Sequence, residues 1–225
     1  MTRDTHTYGH FCMLARALEQ LGDRWALLIV RDLLVARRRF TDLMDRLGGI
    51  TPKTLSQRLK DLEAQGIVHA DREAGRREVW YELTPTGRGL APALDELLLW
   101  GFRNIQRPRE PGEPLHPEHL LQALRVVLGR VPPPRRPARW SFRFTDDGTY
   151  TLAFDGEGWT LTAIETVDAD VSVTTTSEAW AQYLTTAPSQ RATTPPGVDI
   201  VGTRSAVDAF RRAVARFPEG AGRAA

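Results

Sequence analysis

Cysteine occurs once in these 225 residues, at Cys12. A single thiol excludes an internal disulfide framework and a multi-cysteine zinc site. Lysine is nearly as scarce, with Lys53 and Lys60 alone, so arginine carries the positive charge. That bias reads as genomic base composition rather than as a binding signature. No apolar run approaches the roughly 20 residues a membrane span requires, and no secretory leader pattern is visible. A cytoplasmic protein without a membrane partner is expected. A Ser/His/Asp set, a phosphate loop and clustered metal ligands are likewise missing, so the expectation is a non-enzyme with no cofactor and no metal. The formal charge is only +2, and it leans slightly basic before Pro108. Any case for a nucleic-acid partner therefore rests on where the arginines sit.

What the chain does contain is an ordered set of signals between Phe40 and Leu83. Phe40, Leu43, Met44 and Leu47 recur at the i, i+3, i+4, i+7 spacing of one helical stripe. Gly48-Gly49 then ends that helix, and Ile50 plugs the corner that follows. Thr51-Pro52 restarts the chain as an N-cap followed by a proline at the first helical position. The second helix, Pro52 to Gln65, turns Leu55, Leu59 and Leu62 inward and Lys53, Thr54, Gln57, Arg58 and Asp61 outward. Short hydrogen-bonding and long cationic side chains on such a face reach base edges and phosphates, although any solvated helix face shows similar polarity.

After Gly66, Ile67 to Ala70 and Glu78 to Leu83 read as antiparallel strands joined by a turn, with Gly75 at its tip and Arg72, Arg76 and Arg77 around it. A basic hairpin beside a recognition helix is a wing. Thr84-Pro85-Thr86 caps a further helix expected to reach Ile105. Upstream, Asp23 caps an apolar helix from Trp25 to Val35 that serves as core scaffold. Arg37, Arg38 and Arg39 form either a solvated turn or a phosphate contact.

Residues from Cys12 to about Gly101 resemble the HxlR-type regulators, a winged-helix branch related to the MarR type. The matching blocks are Leu21-Gly-Asp-Arg-Trp-Ala-Leu-Leu-Ile-Val-Arg-Asp-Leu33, Arg39-Phe-Thr-Asp-Leu43, Ile50 to Glu63, Gly66-Ile-Val68 and Tyr81-Glu-Leu-Thr-Pro-Thr-Gly87. The resemblance implies a homodimer on an inverted-repeat operator of double-stranded DNA. Its DNA-contacting positions would be Arg39, Thr51, Lys53, Thr54, Gln57, Arg58, Arg72, Arg76 and Arg77. It implies dimerisation through the first and last helices of the winged domain, here Tyr8 to Leu21 and Pro85 to Ile105. Leu14, Leu18, Leu90, Leu94, Leu97, Leu98 and Phe102 are the interface candidates, and packing against the rest of the chain is the plain alternative. Cys12 falls where some relatives carry a redox-sensing cysteine, whereas its apolar neighbours favour a buried small side chain.

The remainder follows a charged, proline-rich linker at 107–115. A helix from His116 to Leu128 begins with two histidines that read as solvated, and Pro132-Pro133-Pro134 is a stiff spacer. Alternating patterns then mark strands at 140–144, 150–154, 159–164 and 169–175. A helix capped by Ser177 runs to about Thr186, a strand covers 198–202, and a helix covers 205–217. This half is similar to the sterol-carrier-protein fold, an open antiparallel sheet sheltering a hydrophobic tunnel. In that fold Trp159, Leu161, Trp180, Tyr183, Leu184, Phe210 and Val214 would line a ligand site, while the same residues could equally fill a core.

The expected fold class is α+β. A winged helix-turn-helix domain occupies 1–106, a linker 107–115, a sterol-carrier-like effector domain 116–218 and a tail 219–225. The expected function is a homodimeric repressor controlled by a small hydrophobic effector. The alternatives are a redox switch through Cys12 with a structural C-terminal domain, or a lipid carrier or enzyme fused to a DNA-binding domain.

Overall fold

A computed structural model describes residues 7–72, 78–105, 109–110, 112–186 and 196–217. The chain divides into two compact units that meet between Leu94 and Asp95, upstream of the linker expected at 107–115. The fold is α+β, with a winged helix-turn-helix unit followed by a unit built on a larger sheet.

The first unit begins with helices α1 (Met13–Leu21) and α2 (Ala26–Val35). The Asp23 carboxylate accepts from the Trp25 amide at 2.9 Å, but the N-cap of α2 is Trp25, with no side-chain cap, which corrects the cap expected at Asp23. Arg38–Arg39 then form a short strand β1, which replaces the turn expected there. Next come α3 (Phe40–Leu47) and α4 (Pro52–Ala64), joined through Gly48 and Gly49, both with positive φ. Two successive left-handed residues turn the chain sharply, a conformation side chains with a Cβ resist. Ile50 is buried at the corner, as its place between the helices requires. Strands β2 (Val68–Asp71) and β3 (Trp80–Leu83) form the wing's hairpin, and β1 adds to the far side of β3 in the order β1-β3-β2. Leu43, Leu47, Leu55, Leu59 and Leu62 meet Ile29, Val30 and Leu33 in one core, with Trp25 packed at its edge.

The helix expected from Pro85 to Ile105 is two helices, α5 (Pro85–Arg88) and α6 (Ala91–Asn104). Pro92 has no amide hydrogen and cannot continue the helix from Arg88, so the chain breaks at Gly89-Leu90 and restarts. Gly87 lies so close to the hairpin that a Cβ there would stand 2.2 Å from the Ile67 carbonyl oxygen.

In the second unit, α7 (Pro117–Leu128) precedes β4 (Ala138–Phe144), β5 (Thr149–Phe154), β6 (Trp159–Thr162) and β7 (Val171–Thr175). Helix α8 (Ser177–Thr185), strand β8 (Val198–Gly202) and helix α9 (Arg204–Val214) follow. The sheet order is β6-β5-β4-β7-β8. Its central pair, β4 with β7, is parallel, which corrects the expected antiparallel sheet. After the β4-β5-β6 meander the chain returns along residues 163–170 to the free side of β4. The Thr151 hydroxyl donates to the Ile164 carbonyl on that return, and the Asp170 carboxylate accepts from the Arg139 amide at its end. Thr176 rather than Ser177 caps α8 with its side chain. Ser177 instead donates to Asp146 of the β4–β5 turn through both its amide and its hydroxyl. His116 and His119 are half-buried and edge-on at 5.3 Å, not solvated, and His119 lies 3.8 Å from the buried Glu118.

Candidate nucleic-acid interface

Helix α4 has two opposed edges. Leu55, Leu59 and Leu62 are buried at i, i+4, i+7, and the same spacing repeated two residues earlier puts Lys53, Gln57 and Lys60 along the solvent edge. Neither lysine has a partner among the described residues. The Gln57 amide donates to Asp61 at 2.8 Å and is held along the helix. At the N-terminus the Thr51 hydroxyl accepts from the Thr54 amide, and the two hydroxyls lie 2.8 Å apart. Proline at the first position and this cap leave the helix's positive end facing outward, which suits an anionic partner.

Thr54, Arg58 and Asp61 sit on the flank between the two edges and are half-buried, not turned fully outward. Arg58 bridges Asp61 at 3.1 Å and Asp23 at 3.5 Å, so it ties α4 to the start of α2. Arg39 is engaged too. Its guanidinium meets Asp42 at 3.1 Å and Glu78 at 3.0 Å, while the Asp42 carboxylate also accepts from the Arg39 amide. Burial pushes the Asp42 carboxyl upward, but the hydrogen bonds from Arg39 outweigh it and leave the net shift downward. Arg37 and Arg39, alternate residues and hence on one face, both stand over the Trp80 ring at 4.7 and 5.5 Å.

At the base of the wing Arg72 grips Glu63 with two parallel hydrogen bonds of 2.5 and 2.8 Å. Those bonds hold the Glu63 carboxyl below its ordinary range. Arg76 and Arg77 lie outside the described residues. Of the nine candidate DNA contacts, three arginines are therefore committed to carboxylates of the same chain. Lys53 is free to meet a phosphate, and Lys60, which is not among those nine, shares its edge. The i+7 spacing from Lys53 is the sequence signal that points to it.

The dimer candidates divide in the same way. Helix α1 has no buried residue, and Leu14 and Leu18 are exposed, as are Phe11 and Met13. On α6, Leu97 and Trp100 are 53% and 57% exposed. Leu90 and Leu94 instead pack against the first unit's core, and Phe102 meets Phe217 edge-on at 5.4 Å. Leu98 is half-buried. The single stripe expected from Leu90 to Phe102 is thus divided along α6 itself, with Leu94 packed in the first unit's core and Leu97 in solvent. Cys12 is exposed at the N-cap of α1, contrary to a buried side chain.

The seven residues expected to line a ligand tunnel are all buried. Phe142 packs edge-on against Trp180 at 5.2 Å, Trp140 against Phe210 at 4.9 Å, and Trp180 stacks at a tilt on Tyr183 at 5.5 Å. Ring contacts of this kind hold the sheet against α8 and α9. Trp159 alone of the seven reaches the open groove of this unit.

The family described as HxlR-like helix-turn-helix matches residues 20–109. An uncharacterized HTH-type transcriptional regulator of Synechocystis sp. is 39% identical over 88 residues, which cover 38% of this chain and 64% of that protein. The uncharacterized HTH-type transcriptional regulator YvaP of Bacillus subtilis is 39% identical over 87 residues, covering 38% of this chain and 80% of its own length. The reduced form of the transcriptional regulator YodB from B. subtilis is a similar solved structure, 30% identical over 46% of this chain and 100% of that one, with a TM-score of 0.39. The chain belongs to the HxlR-like helix-turn-helix family, a family of transcriptional regulators and not of enzymes. Among the described residues, no helix is long and apolar enough to cross a membrane.

Proposed function

We propose that the chain is a homodimeric transcriptional repressor that binds an inverted-repeat operator. The observation that carries this reading is Lys53 and Lys60, unpaired among the described residues, along the exposed edge of α4. Cations left without a carboxylate on a helix whose other edge is locked in the core suit phosphate contact in a major groove. Exposed leucines on α1 and on α6 supply apolar area that a second copy would cover. The two recognition helices would then meet successive major grooves about 34 Å apart. A small effector taken by the second unit would favour one dimer geometry over the other, and it must bind the two differently to shift anything.

Fluorescence anisotropy tests the reading with the duplex upstream of the chain's own gene and a shuffled duplex of equal length. Salt-sensitive binding with preference for the native duplex is expected. Equal affinity for both duplexes would overturn it. A reporter driven from the same region is expected to rise when the gene is deleted, and a fall would make the chain an activator.

A second reading rests on Cys12, a free thiol exposed at the N-cap of α1 and so open to an oxidant. Loss of an oxidant response in Cys12→Ser would favour it, and a retained response would exclude it.

A further inference from the structure

The unit that begins at Asp95 carries a half-open groove of about 680 Å³, within the size range of small-molecule sites. Its floor is apolar. The indoles of Trp140 and Trp159 meet there with centroids 4.7 Å apart. One wall is the proline segment 132–134 with Pro137, whose fixed φ values make it a stiff surface rather than a mere spacer. The opposite wall is α9, where Ala206, Ala209 and Ala213 leave the groove open.

Four arginines line this apolar trough: Arg135 and Arg136 from the proline segment, Arg212 and Arg216 from the end of α9. None of the four pairs with a described residue. Elsewhere in the same unit Arg109, Arg125, Arg130 and Arg143 are each held by a carboxylate, while the guanidinium groups of Arg103, Arg139 and Arg204 stand singly and unpaired among the described residues, so what marks the groove is that four such groups gather on one apolar surface. The one acid in the lining, Asp170, already accepts a hydrogen bond from the Arg139 amide. Guanidinium groups gathered at the edge of an aromatic floor, paired with no described residue, form a solvated cationic rim that an anion can reach.

We propose that the groove binds a small anionic amphiphile, with its apolar body on the Trp140–Trp159 floor and a carboxylate head among the four arginines. This proposal rests on the effector reading in naming the effector's chemistry, yet the binding itself needs no DNA. A carboxylate there gains bidentate hydrogen bonds between two ionised partners, whereas a neutral hydroxyl accepts a single weaker one. A cationic head is repelled.

Calorimetric titration of the full chain in the absence of DNA tests this with dodecanoate and 1-naphthoate, against 1-dodecanol and dodecyltrimethylammonium. At least one carboxylate is expected to bind roughly tenfold or more tighter than both uncharged and cationic probes. The stronger of the two decides between an acyl and an aryl body. The double variant Arg135→Gln/Arg212→Gln changes exposed side chains and is expected to keep the native Tm while weakening the carboxylate by roughly tenfold. Ala209→Trp should block the groove to every probe. No carboxylate binding below millimolar concentration, equal affinity for the cationic probe, or an unchanged affinity in the double variant would each overturn the proposal. Carboxylate binding that leaves the anisotropy titration unmoved would keep the groove and remove the effector role. Carboxylate binding in a chain that fails to bind DNA would still support the groove while sinking the repressor reading.

Discussion

Lys53 and Arg58 lie five residues apart on α4, and their surroundings assign them different work. Lys53 stands in solvent without a partner among the described residues, so Lys53→Ala is expected to leave Tm unchanged and to reduce the slope of log affinity against log salt by about 1. Measured across a salt series, an unchanged slope would remove Lys53 from the phosphate contacts. Arg58→Ala is expected to act by another route, because Arg58 joins α4 to Asp23. It should lower Tm together with affinity, which a thermal melt separates from the Lys53 effect. Gly87 is set by distance. Its replacement by alanine drives a methyl group to 2.2 Å from the Ile67 carbonyl and 3.1 Å from the Leu83 side chain. The backbone of α5 must shift, at an expected cost of about 1–3 kcal/mol in urea unfolding. A Gly87→Ala protein as stable as the parent would mean the hairpin and α5 are not held this closely.

Among the elements, the wing is fastened to α4 by Arg72 and Glu63. The Glu63 carboxyl is held below its ordinary value by these hydrogen bonds, so its contribution to stability is present above the unfolded glutamate range near 4.5 and is lost as pH falls through the lowered folded value. For an exposed pair that contribution is under about 1 kcal/mol. Glu63→Gln should therefore melt slightly below the parent at pH 7 and coincide with it in acid; a gap that persists at low pH would assign the loss to something other than the ion pair. Which elements exist was legible in the sequence, since α3 and α4 carry clean helical stripes and Thr51-Pro52 is a start signal. The break at Gly89-Leu90 is legible too, once Pro92 is weighed against the leucine pattern. The state of the arginines was not. Arg39 finds Glu78 because β1 pairs with β3, and Arg72 finds Glu63 because β2 folds back beside α4, across 39 and 9 residues of chain.

At the scale of the whole molecule, the first unit follows its family and the second adds what its patterns only partly disclosed. The alternating strands were readable, but the parallel β4–β7 pair depends on which side of the meander the returning chain chooses, and alternation is silent on that. Large apolar residues line a tunnel and fill a core alike, so their pattern does not separate the two. The groove beside them is built from prolines and arginines that composition alone treats as spacer and base bias. Assembly is the property of the whole that the exposed side chains most directly concern. Leu97→Glu and Leu14→Glu, each at an exposed position, are expected to yield folded monomers by light scattering and to lose operator affinity. Dimers that persist in both variants would move the interface elsewhere.

In the proposed complex two copies present α4 to one two-fold operator. Hydroxyl-radical footprinting of the DNA upstream of the chain's own gene reads this directly. The parent protein is expected to protect two symmetric half-sites with centres about 10 base pairs apart, and a Lys53→Ala/Lys60→Ala protein is expected to lose both together. A single asymmetric footprint, or protection that survives the double substitution, would contradict it.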